Sequence, residues 1–399
     1  MEPLLRWLWL SRFWRPVLAA TLLVAGGMWW WFRERQVSAD YLLATGRSAL
    51  AREDWDTVRQ VVERLERAGY EPHSRLLRAE WLWSRGEVAS ALALAEGVQT
   101  EGRLRIEAAV MVGKCLLALE NRLEALRVLS WVVEQDADHV DAHRGLAALA
   151  YDLGQWYQAE WHLRRVAELD RQDPRPYRLL GLMYKDLSRW EEAENAYRAA
   201  WERGVEGAMR VDIGLELAEV LLQRAMYEEA LTWTRTVTSE NSTQRTKTAQ
   251  LRAEGLYGLG RWQEAVAELE AIPREQWTGA MWRCRGRLHR DADQMPEAAA
   301  CLEAAVRLDP NDVESWHVLG QVYESLNKKE AAMQARQRVE VIQKYLQQLT
   351  QLTHQAMERP WDSAVRRQLA DLNEQLGHPE LARMWRKAAA ECASREQRR

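Results

Sequence analysis

The chain is short of the residues that punctuate loops and staple small folds. Its 399 residues include 10 Pro, 21 Gly and 4 Cys, too few for a loop-rich β-sandwich or a disulfide framework. Phe is nearly missing: Phe13 and Phe32 stand against 21 Trp. Charge of one sign is lacking too, since 55 basic and 59 acidic residues leave a net charge of −4, which argues against a nucleic-acid partner held by a basic field. No G-x-G-x-x-G, G-x4-G-K-[ST] or H-E-x-x-H occurs, so the signatures of dinucleotide, phosphate and zinc-protease chemistry are missing. Cys115, Cys284, Cys301 and Cys392 have no C-x-x-C spacing, which excludes a zinc ribbon. Neither a catalytic residue, a metal nor a cofactor is expected. What is present is an ordinary globular balance, 47% apolar and 29% charged, enough to bury a large core.

Residues 16–32, PVLAATLLVAGGMWWWF, carry no charge and end in an aromatic cluster. As a helix this run is about 25 Å long, close to the hydrocarbon thickness of a bilayer, and Trp favours the membrane interface. It reads as a transmembrane helix, with 1–15 a cytoplasmic segment and 33–38 a linker. A cleavable signal peptide competes, with Val37-Ser38-Ala39 as its small-residue site, but Trp, Phe and Arg33-Glu34-Arg35 intervene where cleavage usually follows the run closely. Arg6, Arg12 and Arg15 before the run, against Arg33 and Arg35 after it, favour the amino terminus inside. With Arg outnumbering Lys 48 to 7, a GC-rich bacterial source is suggested. The expectation is then a single-pass protein of a bacterial inner membrane with the rest of the chain outside the cytoplasm.

Beyond the run, the sequence repeats. A small residue recurs at Gly46, Ala79, Gly113, Ala147, Gly181, Ala218, Ala253, Gly286, Gly320 and Ala370, mostly 33 to 37 residues apart, with a last interval of 50. Twelve residues after each stands Ala, except Val58 in the first unit. Small residues on two antiparallel helices let their backbones approach. Seven residues after the small position come turn formers such as Gly86, Gly154, Ser188, Gly260, Asp293, Asn327 and Gly377, so each unit is a helical hairpin. Trp55, Trp156, Trp190, Tyr227 and Trp262 open the second helices as apolar plugs. The longer interval before the last unit, Val341–Glu358, places Ile342, Tyr345, Leu346, Leu349 and Leu352 at helical spacing, an extra or extended helix.

The fullest unit, Pro174, Tyr177, Leu180, Gly181, Tyr184, Ala193, Tyr197 and Ala200, resembles the tetratricopeptide repeat, a 34-residue helix–turn–helix pattern; Asp309-Pro310-Asn311-Asp312, leading to Trp316, Leu319, Gly320, Tyr323 and Ala332, is similar. The resemblance implies an all-α, right-handed α-solenoid of about ten hairpins: nine over 39–340, the inserted helix at 341–358, a tenth over 359–392, and a charged tail at 393–399. It also implies a non-catalytic scaffold that binds protein or peptide partners in a groove lined by first helices. Envelope assembly is the expected setting, with regulation of cell-envelope or lipopolysaccharide enzymes, or glycan binding, as alternatives.

On the groove-facing positions of the eighth unit stand Arg283, Arg287 and Arg290; on the fifth, Arg178 and Lys185 with Arg175 above, joined by Arg144 and Tyr151 from the unit before. Such cations suit a partner's acidic side chains or C-terminal carboxylate; a solvated face balanced by Glu254, Asp291 and Glu324 is the competing reading. Tyr257 and Trp83 are the groove aromatics, and Leu43, Leu76, Val110 and Leu117 make the N-terminal part of the same surface apolar: an open groove or a buried lining. No groove-facing Asn appears, which disfavours a chaperone-tail carboxylate clamp. Cys284 and Cys301 fall on the two helices of one hairpin, as buried thiols or a disulfide, and His139 with His143 share one helical start, a solvated one or a metal pair.

Overall fold

The computed structural model describes residues 38–237, 241–359 and 361–396. Over these the chain forms twenty α-helices and one 3-10 turn, Arg274–Gln276, and no strand. It divides into two compact units, 1–137 and 138–399.

In the first unit α1 (Ala39–Ala51) pairs with α2 (Trp55–Arg67), α3 (Glu71–Ser84) with α4 (Val88–Glu96), and α5 (Arg103–Ala118) with α6 (Arg122–Gln135). The second unit holds seven hairpins. They are α7 (Val140–Asp152) with α8 (Trp156–Leu169), α9 (Arg175–Asp186) with α10 (Trp190–Trp201), α11 (Gly207–Gln223) with α12 (Tyr227–Thr236), and α13 (Ser242–Gly258) with α14 (Trp262–Glu270). Then come α15 (Gly279–Asp291) with α16 (Met295–Leu308), α17 (Val313–Ser325) with α18 (Lys329–Glu358), and α19 (Ser363–Gln375) with α20 (Pro379–Glu396).

Each hairpin turns the same way. Seven residues past the small position the backbone is left-handed in all ten units, at Glu53, Gly86, Glu120, Gly154, Ser188, Ala225, Gly260, Asp293, Asn327 and Gly377. The next N–H then reaches back across the turn, as Gln155 N donates to Ala150 O at 2.7 Å and Arg189 N to Tyr184 O at 2.8 Å. This satisfies carbonyls that the ending helix leaves open. Glycine fits that conformation; Glu53, Glu120 and Ala225 adopt it against their own preference.

The alanines twelve residues after the small positions are buried, as is Val58. A second contact lies sixteen residues after the small position, where a larger side chain of the second helix fills the space that the missing Cβ leaves. A Cβ on Gly113 would lie 2.4 Å from Leu129 Cδ2, and one on Gly286 2.6 Å from Leu302 Cγ. The insertion at 341–358 is the second half of α18, which runs unbroken for 30 residues. It docks through Ile342, fully buried with Leu372 and Leu376.

The second unit closes on itself. Val365, Leu369, Ala370, Trp385 and Ala388 of the last hairpin share one core with Ala147, Leu153 and Trp156 of α7 and α8. The Arg366 side chain, fully buried, donates to Leu153 O at 2.9 and 3.3 Å, to Arg359 O at 3.2 Å and to Asp362 O at 3.1 Å. Burial pulls this guanidinium below its usual range. Trp385 lies over Gly154, where a Cβ would come within 2.0 Å of the indole. Repeat arrays ordinarily touch only their neighbours; here the first and last hairpins of the unit are bonded.

One expectation is corrected. No helix among the described residues is long and apolar enough to cross a membrane, and α18, the longest, carries Lys329, Glu330, Arg336, Arg338, Glu340 and Lys344 along its length. Nothing in the structure supports a single-pass membrane protein, and the run at 16–32 on which that localisation rested lies outside the described residues, as do the segment 1–15 and all of the linker but Ser38. The cysteines are settled as well: all four are buried thiols, and Cys284 and Cys301 form no disulfide. Burial pushes the Cys284 thiol up to about 12.

Candidate interaction face

First helices of successive hairpins pack directly on one another, α11 on α13, α13 on α15 and α15 on α17, while second helices pack on the next first helix. The first-helix face of the second unit therefore gathers side chains from consecutive repeats.

That face is a ladder of charges paired from one repeat to the next. Arg144 holds Asp141 at 2.8 Å and Asp173 at 2.7 Å. Arg175 donates to the same Asp173 through Nε at 2.8 Å. Burial works to raise the Asp173 carboxyl, and the Arg175 and Arg144 hydrogen bonds overcome it, leaving it below the usual carboxylate range. Tyr151 donates to Asp186 at 2.6 Å, which together with burial raises its phenol pKa. Arg178 reaches Glu216 at 2.7 Å and Asp212 at 3.2 Å. Lys185 reaches Glu219 at 3.3 Å, and Lys247 of α13 takes the other oxygen at 3.2 Å. Against the pull of burial, the two lysines lower the Glu219 pKa.

The other cluster lies on α15. Arg283 is held by Asp312 at 2.5 Å, Glu314 at 3.4 Å and Glu254 at 3.8 Å. Arg287 meets Glu314 at 2.6 Å and stacks 4.0 Å over the Tyr257 ring, a favourable placement of a cation on a π face. Tyr257 donates to Asp291 at 2.6 Å, and Arg290 meets the same aspartate at 2.8 Å. The structure thus brings together Arg283, Arg287, Arg290 and Tyr257 in one group, and Arg144, Arg175 and Asp173 in another. Each cation named from the sequence already has a carboxylate partner. Two of those partners, Glu254 with Arg283 and Asp291 with Arg290, are among the balancing acids named from the sequence; Asp173, Asp212, Glu216, Glu219, Asp312 and Glu314 were the unread half of the site. Several stand 34 or 35 residues from their mates, as in Arg178 with Asp212, Lys185 with Glu219 and Tyr151 with Asp186, so opposite polar groups one repeat apart are the signal that finds them.

Trp83 belongs to neither group. It is half-buried against the core of the first unit, where Leu43 and Leu76 are fully buried and Val110 nearly so. Of the apolar N-terminal surface, Leu43, Leu76 and Val110 are packed lining, while Leu117, like Trp83, is half-buried. His139 accepts from Ala142 N at 3.4 Å as the cap of α7, and His143 is buried with its Nδ1 2.9 Å from His162 Nδ1. Burial and the facing imidazole hold His162 down at about 4. No three potential metal ligands converge among the described residues.

Family models for the tetratricopeptide repeat match residues 113–174, 279–322 and 313–338. The chain carries tetratricopeptide repeats. Superkiller complex protein 3 of Mus musculus is 25% identical over 248 residues, 60% of this chain and 13% of that protein. Its Homo sapiens counterpart is 25% identical over 211 residues, 50% of this chain and 11% of that protein. The chain thus spans about an eighth of the length of these relatives. A solved tetratricopeptide repeat protein from Parabacteroides merdae is 16% identical with a TM-score of 0.42, covering 63% of this chain and 99% of its own.

Proposed function

We propose that the tetratricopeptide repeats of the second unit form a non-catalytic scaffold that seats a segment of a protein partner on the first-helix face, with the Arg287–Arg290–Tyr257 group receiving an acidic side chain or a C-terminal carboxylate. The observation that carries this reading is how incompletely two of these arginines are used. Arg287 spends one nitrogen on the exposed Glu314, and the carboxylate that meets Arg290 is the aspartate beside it in sequence, its other bonds being long ones to neutral groups, Gln321 Oε1 at 3.5 Å and the Tyr257 hydroxyl at 3.4 Å. A guanidinium offers five donors in a fork that fits a carboxylate bidentately, so both keep capacity for a second anion. Arg283, Arg144 and Arg178 are saturated by two or three carboxylates each and serve to hold the repeats in register. Arg175, Lys185 and Tyr151 are engaged on the first-helix face by Asp173, Glu219 and Asp186 respectively.

The test pans a library of random peptides with free C-termini against the full-length protein, then repeats it with Arg287→Ala and Arg290→Ala. Enrichment of acidic or carboxylate-terminated peptides that the double variant fails to retain is the expected result. Peptides retained equally by both proteins would refute this assignment. Because the recognition is ionic, retention should also weaken as salt rises.

A further inference from the structure

The extra length of α18 builds a feature that the ordinary repeats lack. Its second half lies along α19, and between them runs a furrow of about 350 Å3. Gln348, Gln351 and Gln355 form one wall; Gln368, Asp371 and Gln375 form the other, so both rows repeat at the same i, i+3, i+7 spacing. Leu352 and Leu372 lie between the rows. The contrast with the charge ladder is sharp, because none of these five amides nor the carboxylate has a hydrogen-bonding or ionic partner among the described residues.

A primary amide both donates and accepts, and a row of them matches a ligand that offers donors and acceptors in alternation without net charge. A peptide backbone is such a ligand. The rows extend over seven residues of helix, about 10 Å, the length of about three residues of extended chain. One carboxylate in the middle adds a single negative charge, and its complement is one cation. We propose that this furrow receives an extended peptide segment of a protein partner carrying one lysine or arginine among uncharged residues, its backbone paired with the glutamine amides and its cation on Asp371. This contact is separate from the arginine group on α15, and either can fail without the other.

The test uses the full-length protein labelled with 15N at glutamine side chains and two probes, acetyl-Gly-Ser-Lys-Ser-Gly-amide and the same peptide with Glu in place of Lys. Saturable shifts of the five furrow amides, assigned through single Gln→Leu variants, are expected with the lysine peptide and not with the glutamate one. Asp371→Asn should weaken lysine-peptide binding about tenfold, the ratio between a charge-assisted and a neutral hydrogen bond. Asp371 is exposed and bonded to nothing, so this variant keeps the fold, which circular dichroism checks. Arg287→Ala with Arg290→Ala should leave the titration unchanged. Absence of shifts with the lysine peptide, equal affinity in Asp371→Asn, or shifts that depend on protein concentration alone and so mark a second copy as the occupant would each overturn the proposal.

Discussion

Removing the Trp385 indole and adding a methyl group to Gly154 should break the same contact, and their combined effect measures how far the second unit depends on closing upon itself. Trp385 is 3% exposed, and truncating such a side chain to Ala costs about 3–5 kcal/mol in a packed core. Gly154→Ala acts twice. Its φ of +65° disfavours a Cβ by about 1–2 kcal/mol, and that Cβ would stand 2.0 Å from the indole, so it also expels Trp385. With Trp385 already replaced by Ala, only the conformational part is left. The double variant should therefore be less destabilised than the two singles added together, by about 2–3 kcal/mol, well outside the ~0.5 kcal/mol within which independent sites add. Long repeat arrays unfold without two-state behaviour, so the assay is native-state hydrogen exchange read at the α7–α8 turn and in α19–α20. Trp385→Ala should speed exchange at Leu153–Gln155, more than 200 residues away in sequence, and Arg366→Met should do likewise by withdrawing the donor from Leu153 O. Additive energies, or protection at the turn that ignores Trp385, would show that the two hairpins fold without reference to each other.

Three further outcomes follow from the hairpin geometry and the ladder. Gly113→Ala should destabilise by about 1–3 kcal/mol by overpacking against Leu129. Gly320→Ala, whose Cβ would meet Ala335 at an ordinary 3.5 Å, should be neutral or stabilising by up to ~1 kcal/mol through helix propensity; local exchange in α6 and α18 separates them. Glu120→Gly and Ala225→Gly should each stabilise their turns by about 0.5–1 kcal/mol, since left-handed backbone at these positions favours glycine by more than its unfolded-state entropy takes back; slower exchange at Asn121 and Met226 checks this. Asp173 and Glu219 have folded-state pKa values below their unfolded ones, so each contributes stability that is present above the unfolded value, about 4, and lost as pH falls through the lower folded value. Asp173→Asn and Glu219→Gln should therefore lower the melting temperature at pH 7, with the deficit shrinking as the pH is brought below about 4; a deficit independent of pH would contradict the assigned pairing.

The repeat was legible because its signals are local. Gly86, Gly154, Gly260 and Gly377 announce left-handed turns, and Ala at the twelfth position marks close helix contact. Glu53, Glu120 and Ala225 hid their turns because nothing in their chemistry asks for that backbone. Leu129 and Leu302 were not read as plugs since a leucine on a helix face looks the same whichever neighbour it fills. The cations of the candidate site were visible as residues, but their meaning depended on Asp173, Glu216, Glu219 and Asp312, which only the stacking of repeats brings within reach. Closure left no trace in the sequence at all: Arg366 resembles any surface arginine until the superhelix carries it to Leu153. The membrane reading was drawn from the hydropathy, Trp cluster and flanking arginines of a run outside the described residues, and the described helices lend it no support.

The claim that partners seat on the first-helix face is tested most directly by placing a benzoylphenylalanine photocrosslinker at Gln321 of α17, beside Arg290, or at Tyr157 of α8, an exposed second-helix position, and irradiating each full-length protein with the peptide selected by panning. Crosslinking from Gln321 and none from Tyr157 is the predicted result. Crosslinking from Tyr157 with Gln321 silent would place the partner on the opposite side of the repeats and contradict the account.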